Sequence, residues 1–377
     1  MRILIHISKV RPYGSGYQIM LGNLASGFVL AGHSISVEGD FQDNPTFAQT
    51  LRDSQVEVIQ YGFSRKPILE CLSFLRQMRL RHFDLVISSG LSCDARLGLL
   101  RPFVRSRLAA VFQENPHTAY TVRGWYGRIL ASAHGLLTAL TCQHIVCTSD
   151  YVQRAILRFT PINRNRFLRI HNGIDMPAFM SRRVKKKDRL WGTEGSSFKY
   201  FVGIVGRISP EKNPQLIFTL ADLLEAQSDL AGKIAYVIIG DGTMRPEMEQ
   251  QAKLLERSER FLFPGSLENM AKAYEGLDVL VHFCRSEGFG LVPLESIASG
   301  VTAVCLRGGA LDQIIGSVDN GFLVDNLEEM ARVVRQRLCL AKCGNSTAEA
   351  GRQAVTKDYG LERQVAEYER LLGIEDQ

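Results

Sequence analysis

Short apolar runs alternate with stretches of helical periodicity along almost the whole chain. Ile3–Ile7 reads as a buried strand and Arg11-Pro12-Tyr13-Gly14-Ser15-Gly16 as a turn. Ile19, Leu21, Leu24, Phe28 and Leu30 then recur at helical spacing and stop near Gly32. Residues 34–38, 56–61, 85–88, 108–112 and 144–147 are further strand candidates, with helical segments over 67–80 and 124–141 between them. The rhythm breaks over residues 181–198, where Arg182-Arg183-Val184-Lys185-Lys186-Lys187-Asp188-Arg189 precedes a Gly/Ser-rich stretch. It resumes at 200–205, 234–239, 260–263, 279–283, 301–306 and 321–324, and closes on a helical pattern from Leu361 to Ile374. Such alternation predicts parallel sheets covered by helices on both faces. The break predicts two doubly wound α/β domains, 1–180 and 199–359, with 181–198 as linker and a cleft between them. The closing helix, 360–377, is expected to pack back on the first domain.

Composition narrows the function classes. The length of 377 residues fits two domains of about 180 residues. The net charge of +6 hides a split. Residues 1–198 carry 26 Lys+Arg against 13 Asp+Glu, and the remainder carries 19 against 26. A basic half joined to an acidic half implies two domains with different partners. The eight cysteines include no Cys-x-x-Cys pair, which argues against a zinc site or redox dithiol and for buried core thiols in a reducing compartment. The least polar stretch, Ile129–Cys142, is shorter than the roughly 20 residues a spanning helix needs, and the N-terminal apolar run is too short for a signal peptide. A cytoplasmic protein, soluble or peripheral on a membrane, is expected.

Ligands of open α/β sheets gather beyond the carboxyl ends of strands. Five segments fall there. Gly14-Ser15-Gly16 fits a phosphate loop or a plain tight turn. Val205-Gly206-Arg207 through Lys212 puts two cations five residues apart, either as a diphosphate clamp or as a solvated charged loop. Ile239-Gly240-Asp241-Gly242 fits a simple strand–helix turn. Phe112-Gln113-Glu114-Asn115-Pro116-His117 offers Glu114 or His117 as a polar group at a loop. The most specific is Glu287-Gly288-Phe289-Gly290-Leu291-Val292-Pro293-Leu294-Glu295, with two carboxylates flanking a glycine-rich bend. If Leu291 opens a helix, backbone amides can meet an anion while Glu287 and Glu295 accept from hydroxyls. The acids also fit simple partners of a helix dipole.

Taken together and in order, these segments resemble the family-4 glycosyltransferases with the GT-B fold, retaining enzymes that use nucleotide-sugar donors. Glu287 through Glu295 resembles the family's Glu-x7-Glu motif, and Arg207 with Lys212 its Arg…Lys pair. His171-Asn172-Gly173-Ile174-Asp175 is similar to its Asn-Gly-Ile-Asp segment. Gly308-Gly309 with Asp312 resembles its late Gly-Gly-x-x-Glu, and Gly32-His33 its Gly-His after the first helix. The resemblance covers nearly the whole chain. It implies that residues 1–180 bind the acceptor and residues 199–359 the donor. Arg207 and Lys212 would neutralise the donor diphosphate, so no metal and no cofactor is expected; the sequence contains no Asp-x-Asp pair.

The resemblance assigns further roles. Glu295 would hold the ribose, and Glu287 the sugar hydroxyls. Backbone groups at Gly288, Phe289, Gly290, Leu291 and Val292 would lie on sugar and phosphate, Gly265 near the nucleobase, and Gly16 near the diphosphate from the other domain. His117 would sit by the reacting sugar. Here the chain departs from the family, with Thr118 where an Asp is usual. The expected enzyme is a hexosyltransferase moving a sugar, with a UDP-sugar favoured, to a glycolipid or polysaccharide hydroxyl, as in lipopolysaccharide assembly. The basic half would face an anionic membrane on its cytoplasmic side. A non-catalytic nucleotide-sugar binder, or a basic membrane- or nucleic-acid-binding protein, is the alternative. No stacking platform or reading helix supports nucleic acid as a partner.

Overall fold

The architecture comes from a computed structural model. It describes residues 1–10, 16–60, 74, 75, 78, 81–89, 103, 105–114, 127, 129, 132, 133, 136, 138, 142–158, 164–181, 191, 198–267, 270–340 and 346–371. The chain divides into two compact units, Met1–Gly173 with Leu361–Gln377, and Ile174–Gly360. It therefore passes from one unit to the other twice, at 173/174 and at 360/361.

The first unit holds strands β1 (Arg2–Lys9), β2 (Ser34–Asp40), β3 (Glu57–Gln60), β4 (Leu85–Ser89), β5 (Arg107–Phe112), β6 (His144–Cys147) and β7 (Phe167–Arg169). They form one sheet in the order β3-β2-β1-β4-β5-β6-β7, and every neighbouring pair is parallel. Helices α1 (Gly16–Leu30), α2 (Pro45–Asp53) and α3 (Asp150–Leu157) belong to this unit. The central strands are buried on both faces, which is why they read as continuous apolar runs. The closing helix (Leu361–Leu371) lies against α1 so closely that a Cβ on Gly27 would stand 2.8 Å from Val365. His33 Nε2 also reaches Glu369 Oε1 at 2.8 Å.

The second unit holds β8 (Tyr200–Val205), β9 (Ile234–Ile239), β10 (Phe261–Gly265), β11 (Val279–His282), β12 (Thr302–Leu306) and β13 (Gly321–Val324). Their order is β10-β9-β8-β11-β12-β13, again all parallel. With α4 (Leu216–Glu225), α5 (Arg245–Lys253), α6 (Leu291–Ala298), α7 (Leu327–Leu340) and α8 (Ser346–Tyr359) they build a helix–sheet–helix stack. One core joins Ile217, Leu220 and Leu224 of α4 and Met330, Val334 and Leu338 of α7 to Tyr236, Ile238, Val281 and Val304 of the sheet. Burial of each such aliphatic side chain contributes about 1.5–3 kcal/mol.

Each sheet reverses its strand order once, between β1 and β4 in the first unit and between β8 and β11 in the second. At such a point the loops leaving two adjacent strands diverge and open a crevice. In the second unit those loops are the ones that carry Arg207, Lys212 and Glu287. Residues 75 positions apart are thereby brought together.

Candidate active site

β8 ends at Val205, and Gly206, with φ +126°, turns the chain out of the sheet. The turn is held by its neighbour: Gly206 N–H donates to Ile239 O at 3.0 Å. A Cβ on Gly240, itself at φ +131°, would lie 1.9 Å from Gly206 O. The Ile239–Gly242 segment thus packs under the Arg207 loop, and no side chain fits at Gly240. A short 3-10 turn, Pro210–Lys212, then orients the two cations. The Arg207 guanidinium lies 3.5 Å from Glu211 Oε1 on a half-exposed face. The Lys212 ammonium turns inward and donates to Glu287 Oε2 at 2.6 Å.

From β11 the chain runs through His282, Phe283, Cys284 and the exposed Arg285 to Glu287. His282 Nε2 lies 3.0 Å from the same Glu287 oxygen. The loop rests on the Gly308-Gly309 segment after β12. Ala310 N–H donates to Glu287 O at 2.8 Å, and a Cβ on Gly309 would meet Glu287 O at 2.5 Å. Asp312 Oδ1 closes that turn by accepting from Gly308 N–H at 3.0 Å. Asp312 is therefore a brace of the Glu287 loop, a role an aspartate fills by side-chain–backbone bonding.

α6 opens at Leu291, with Gly290 in the left-handed region (φ +108°) as its N-cap. The amides of Leu291 and Val292 are first-turn donors that the helix itself cannot satisfy, and Pro293 at the third position has none to satisfy. Phe289 is buried edge-on against Tyr359, 5.9 Å between centroids. Glu295, one turn in, accepts from the Tyr274 hydroxyl at 2.7 Å. Gly265 ends β10 beside the Arg245 guanidinium, 3.1 Å from where its Cβ would be. A small cavity at the strand switch is lined by Gly206, Arg207, Lys212, Pro214 and His282.

The two carboxylates are set in opposite electrostatic states. Burial pushes Glu287 up, but the charge of Lys212 and the His282 hydrogen bond outweigh it and hold the carboxyl well below its usual range. Glu295 has no cation. Burial raises it to about 7, only partly offset by the Tyr274 hydroxyl. His282 is the third titrating group. Burial would depress it, yet hydrogen bonds to Cys284 and Glu287 and the charge of Glu287 leave it above its ordinary value. His282, Cys284 and Glu287 are the His/Cys/acid group among the described residues whose ligand atoms stand close enough for a metal. The Lys212 ammonium already lies on that carboxylate, so the set is an ion-pair network.

The structure thus gathers Arg207, Lys212, Glu287, Gly288, Phe289, Gly290, Leu291, Val292 and Glu295 around one end of one sheet, with Gly265 on the neighbouring β10. Gly16 is the first residue of α1 in the other unit. His117 lies outside the described residues, and Glu114 is exposed at the end of its strand loop. Sequence reasoning missed His282 and Tyr274. His282 was hidden because it continues an apolar strand, and Tyr274 because it sits 21 residues before its partner on the short helix Met270–Glu275.

Two doubly wound parallel α/β units in one chain are the architecture of the GT-B fold. The known structures agree in fold. Anabaena Alr3699/HepE in complex with UDP superposes with a TM-score of 0.80 over 99% of this chain and 100% of that one, at 17% identity. WaaG, a glycosyltransferase involved in lipopolysaccharide biosynthesis, gives 0.72 over 100% of both chains at 14% identity.

The family model for glycosyl transferases group 1 matches residues 194–354, and that for Glycosyltransferase Family 4 matches residues 14–176. The chain belongs to the family-4, group 1 glycosyltransferases and is a hexosyltransferase. Among curated proteins it is similar to the lipopolysaccharide core biosynthesis mannosyltransferase LpsB of Rhizobium meliloti (strain 1021). The two are 27% identical over 295 residues, spanning 73% of this chain and 76% of the relative. Two further curated relatives are matched over about half of their own length.

Proposed function

We propose that the protein is a retaining glycosyltransferase. It moves a sugar from a nucleotide diphosphate, UDP favoured, to a hydroxyl of a glycolipid or polysaccharide acceptor in cell-surface glycan assembly. One observation carries this reading: Arg207, Lys212, Glu287 and Glu295 converge on a single strand switch. Arg207 and Lys212 supply the positive charge that a departing diphosphate requires. Glu295, with one oxygen engaged by Tyr274, has the other for a ribose hydroxyl. Glu287 orients the donor sugar. Front-side attack, with the leaving phosphate oxygen accepting the acceptor proton, needs no nucleophile from the protein. The HepE complex contains UDP, and the relative LpsB is named for the lipopolysaccharide core. Both support the donor and acceptor classes. His117 stays a proposal for the acceptor side, as does Gly16 for the diphosphate.

The acceptor half is basic and shows apolar side chains to solvent: Phe103 is 56% exposed, Ile129 53% and Leu136 41%. Ile129 and Leu136 are each helical and seven residues apart in the sequence. This supports peripheral docking on anionic lipid beside a membrane-bound acceptor. Trp125, Tyr126, Leu130 and Leu137 lie outside the described residues. No helix of the described residues is long and apolar enough to cross a membrane.

The test is slow donor hydrolysis with a panel of UDP-, GDP- and ADP-sugars, with and without EDTA. One nucleotide should be turned over, EDTA should leave the rate unchanged, and Glu287→Ala should abolish turnover. No hydrolysis of any donor, or an unaffected Glu287→Ala variant, would contradict the reading. Sedimentation with anionic and neutral vesicles at low and high salt tests the docking face; binding to neither contradicts it.

A further inference from the structure

Two side-chain nitrogens share one carboxylate oxygen. Lys212 Nζ stands 2.6 Å and His282 Nε2 3.0 Å from Glu287 Oε2. His282 is buried at the end of β11 and lines the same cavity as Arg207 and Lys212. The charged or titratable groups that act on its ring are Cys284, Glu287 and Lys212. The proposed reaction leaves the ring without a task.

A conflict within the site gives it one. In the absence of nucleotide the Lys212 ammonium neutralises Glu287. Once a diphosphate enters, the same ammonium is drawn to phosphate oxygens. Glu287, 17% exposed, then loses part of its counter-charge, and a buried carboxylate stripped of its partner is strongly destabilised. A neutral His282 that donates Nε2–H to Glu287 keeps Nδ1 as its basic nitrogen. A solvent proton bound at Nδ1 makes the ring an imidazolium and restores the balance.

We propose that His282 is a positioning residue that takes up a proton when a nucleotide diphosphate binds, holding Glu287 ionised and oriented while Lys212 turns to the diphosphate. The proton comes from solvent, and no covalent bond between heavy atoms forms or breaks. The inference rests on the reading of Arg207 and Lys212 as the diphosphate site.

The electrostatics point the same way. Lys212 lowers the basicity of His282, so withdrawing the ammonium raises it, and an arriving diphosphate raises it further. Uptake therefore falls on the alkaline side of the ordinary histidine value. Glu295 acts in the opposite sense, releasing a proton if the ribose selects its ionised form. That contribution is common to the wild type and a His282 variant, and cancels in their difference.

The experiment is calorimetric titration with UDP and with GDP at pH 7.5–8.5, in buffers of different ionisation enthalpy. The wild type should take up more protons per nucleotide than His282→Gln, by a fraction approaching about one. The affinity of the variant should lose the corresponding fall with rising pH. His282→Asn repeats the comparison if the glutamine variant does not fold. Nitrogen-15 histidine spectra of the wild type provide a check free of substitution: one imidazole should become more basic on adding UDP. Equal proton counts in wild type and variant, or no imidazole that changes, would overturn the proposal and leave the diphosphate site standing. No binding of either nucleotide to the wild type would overturn that site and the proposal with it.

Discussion

Glu295→Gln should make this protein more stable and a poorer binder of nucleotide at once. The Glu295 carboxyl, 4.5 in its ordinary state, is raised to about 7 by burial. An acid raised in the folded state stabilises the fold fully below its unfolded value, and that contribution is lost as pH rises through the folded value. The window is therefore pH 4.5–7, with the full cost present above 7. The difference corresponds to about 3 kcal/mol as an upper bound, since the side chain keeps some solvent contact. Glutamine removes the charge and retains an acceptor for the Tyr274 hydroxyl at 2.7 Å. The melting temperature of Glu295→Gln should match the wild type near pH 4.5 and exceed it by at most about 6–12 °C at pH 8, for a unit of this size. Nucleotide affinity should fall about tenfold, the scale of one charged hydrogen bond. A variant less stable than wild type at pH 8, or a difference that does not change with pH, would refute the reasoning. A stability gain coupled to a functional loss is the mark of a group kept buried for a ligand.

Glu287→Gln should do the reverse. Its carboxyl is held below the usual range by Lys212 and His282, so its contribution is present above pH 4.5 and is lost as pH falls. The variant should lose about 1–3 kcal/mol at pH 7, read by denaturant unfolding, with the deficit shrinking below pH 4.5; a deficit constant down to pH 3 contradicts the ion pair. Gly240→Ala forces a Cβ to 1.9 Å from Gly206 O at φ +131°. It should cost about 3 kcal/mol or more, seen as a lowered melting temperature, and a wild-type melting curve would contradict the packing under the Arg207 loop.

The sheets were legible because parallel strands buried on both faces leave short apolar runs in the sequence: 144–147, 200–205, 234–239 and 321–324 are strands over those same residues. The strand Phe167–Arg169 was not, because three residues on an edge next to Arg164–Arg166 carry too little apolar signal. The helix start at Leu291 was legible from the Gly-Phe-Gly bend before it. The pairing of Lys212 with Glu287 was not, because it depends on β8 and β11 being neighbours, which is a property of topology and not of spacing. The opposite states of Glu287 and Glu295 were hidden for the same reason: two acids eight residues apart look alike until one meets a lysine and the other a tyrosine. The Ile239–Gly242 segment reads in sequence as a plain turn, and structurally it is one, with the added task of supporting the Arg207 loop.

The central claim is that Arg207, Lys212 and Glu295 form a nucleotide-diphosphate site. A crystal structure with UDP or GDP bound tests it most directly. The account predicts the diphosphate within hydrogen-bonding distance of the Arg207 guanidinium and the Lys212 ammonium, with a ribose hydroxyl on Glu295. A nucleotide seated elsewhere, or one that leaves Lys212 and Glu295 untouched, would contradict it.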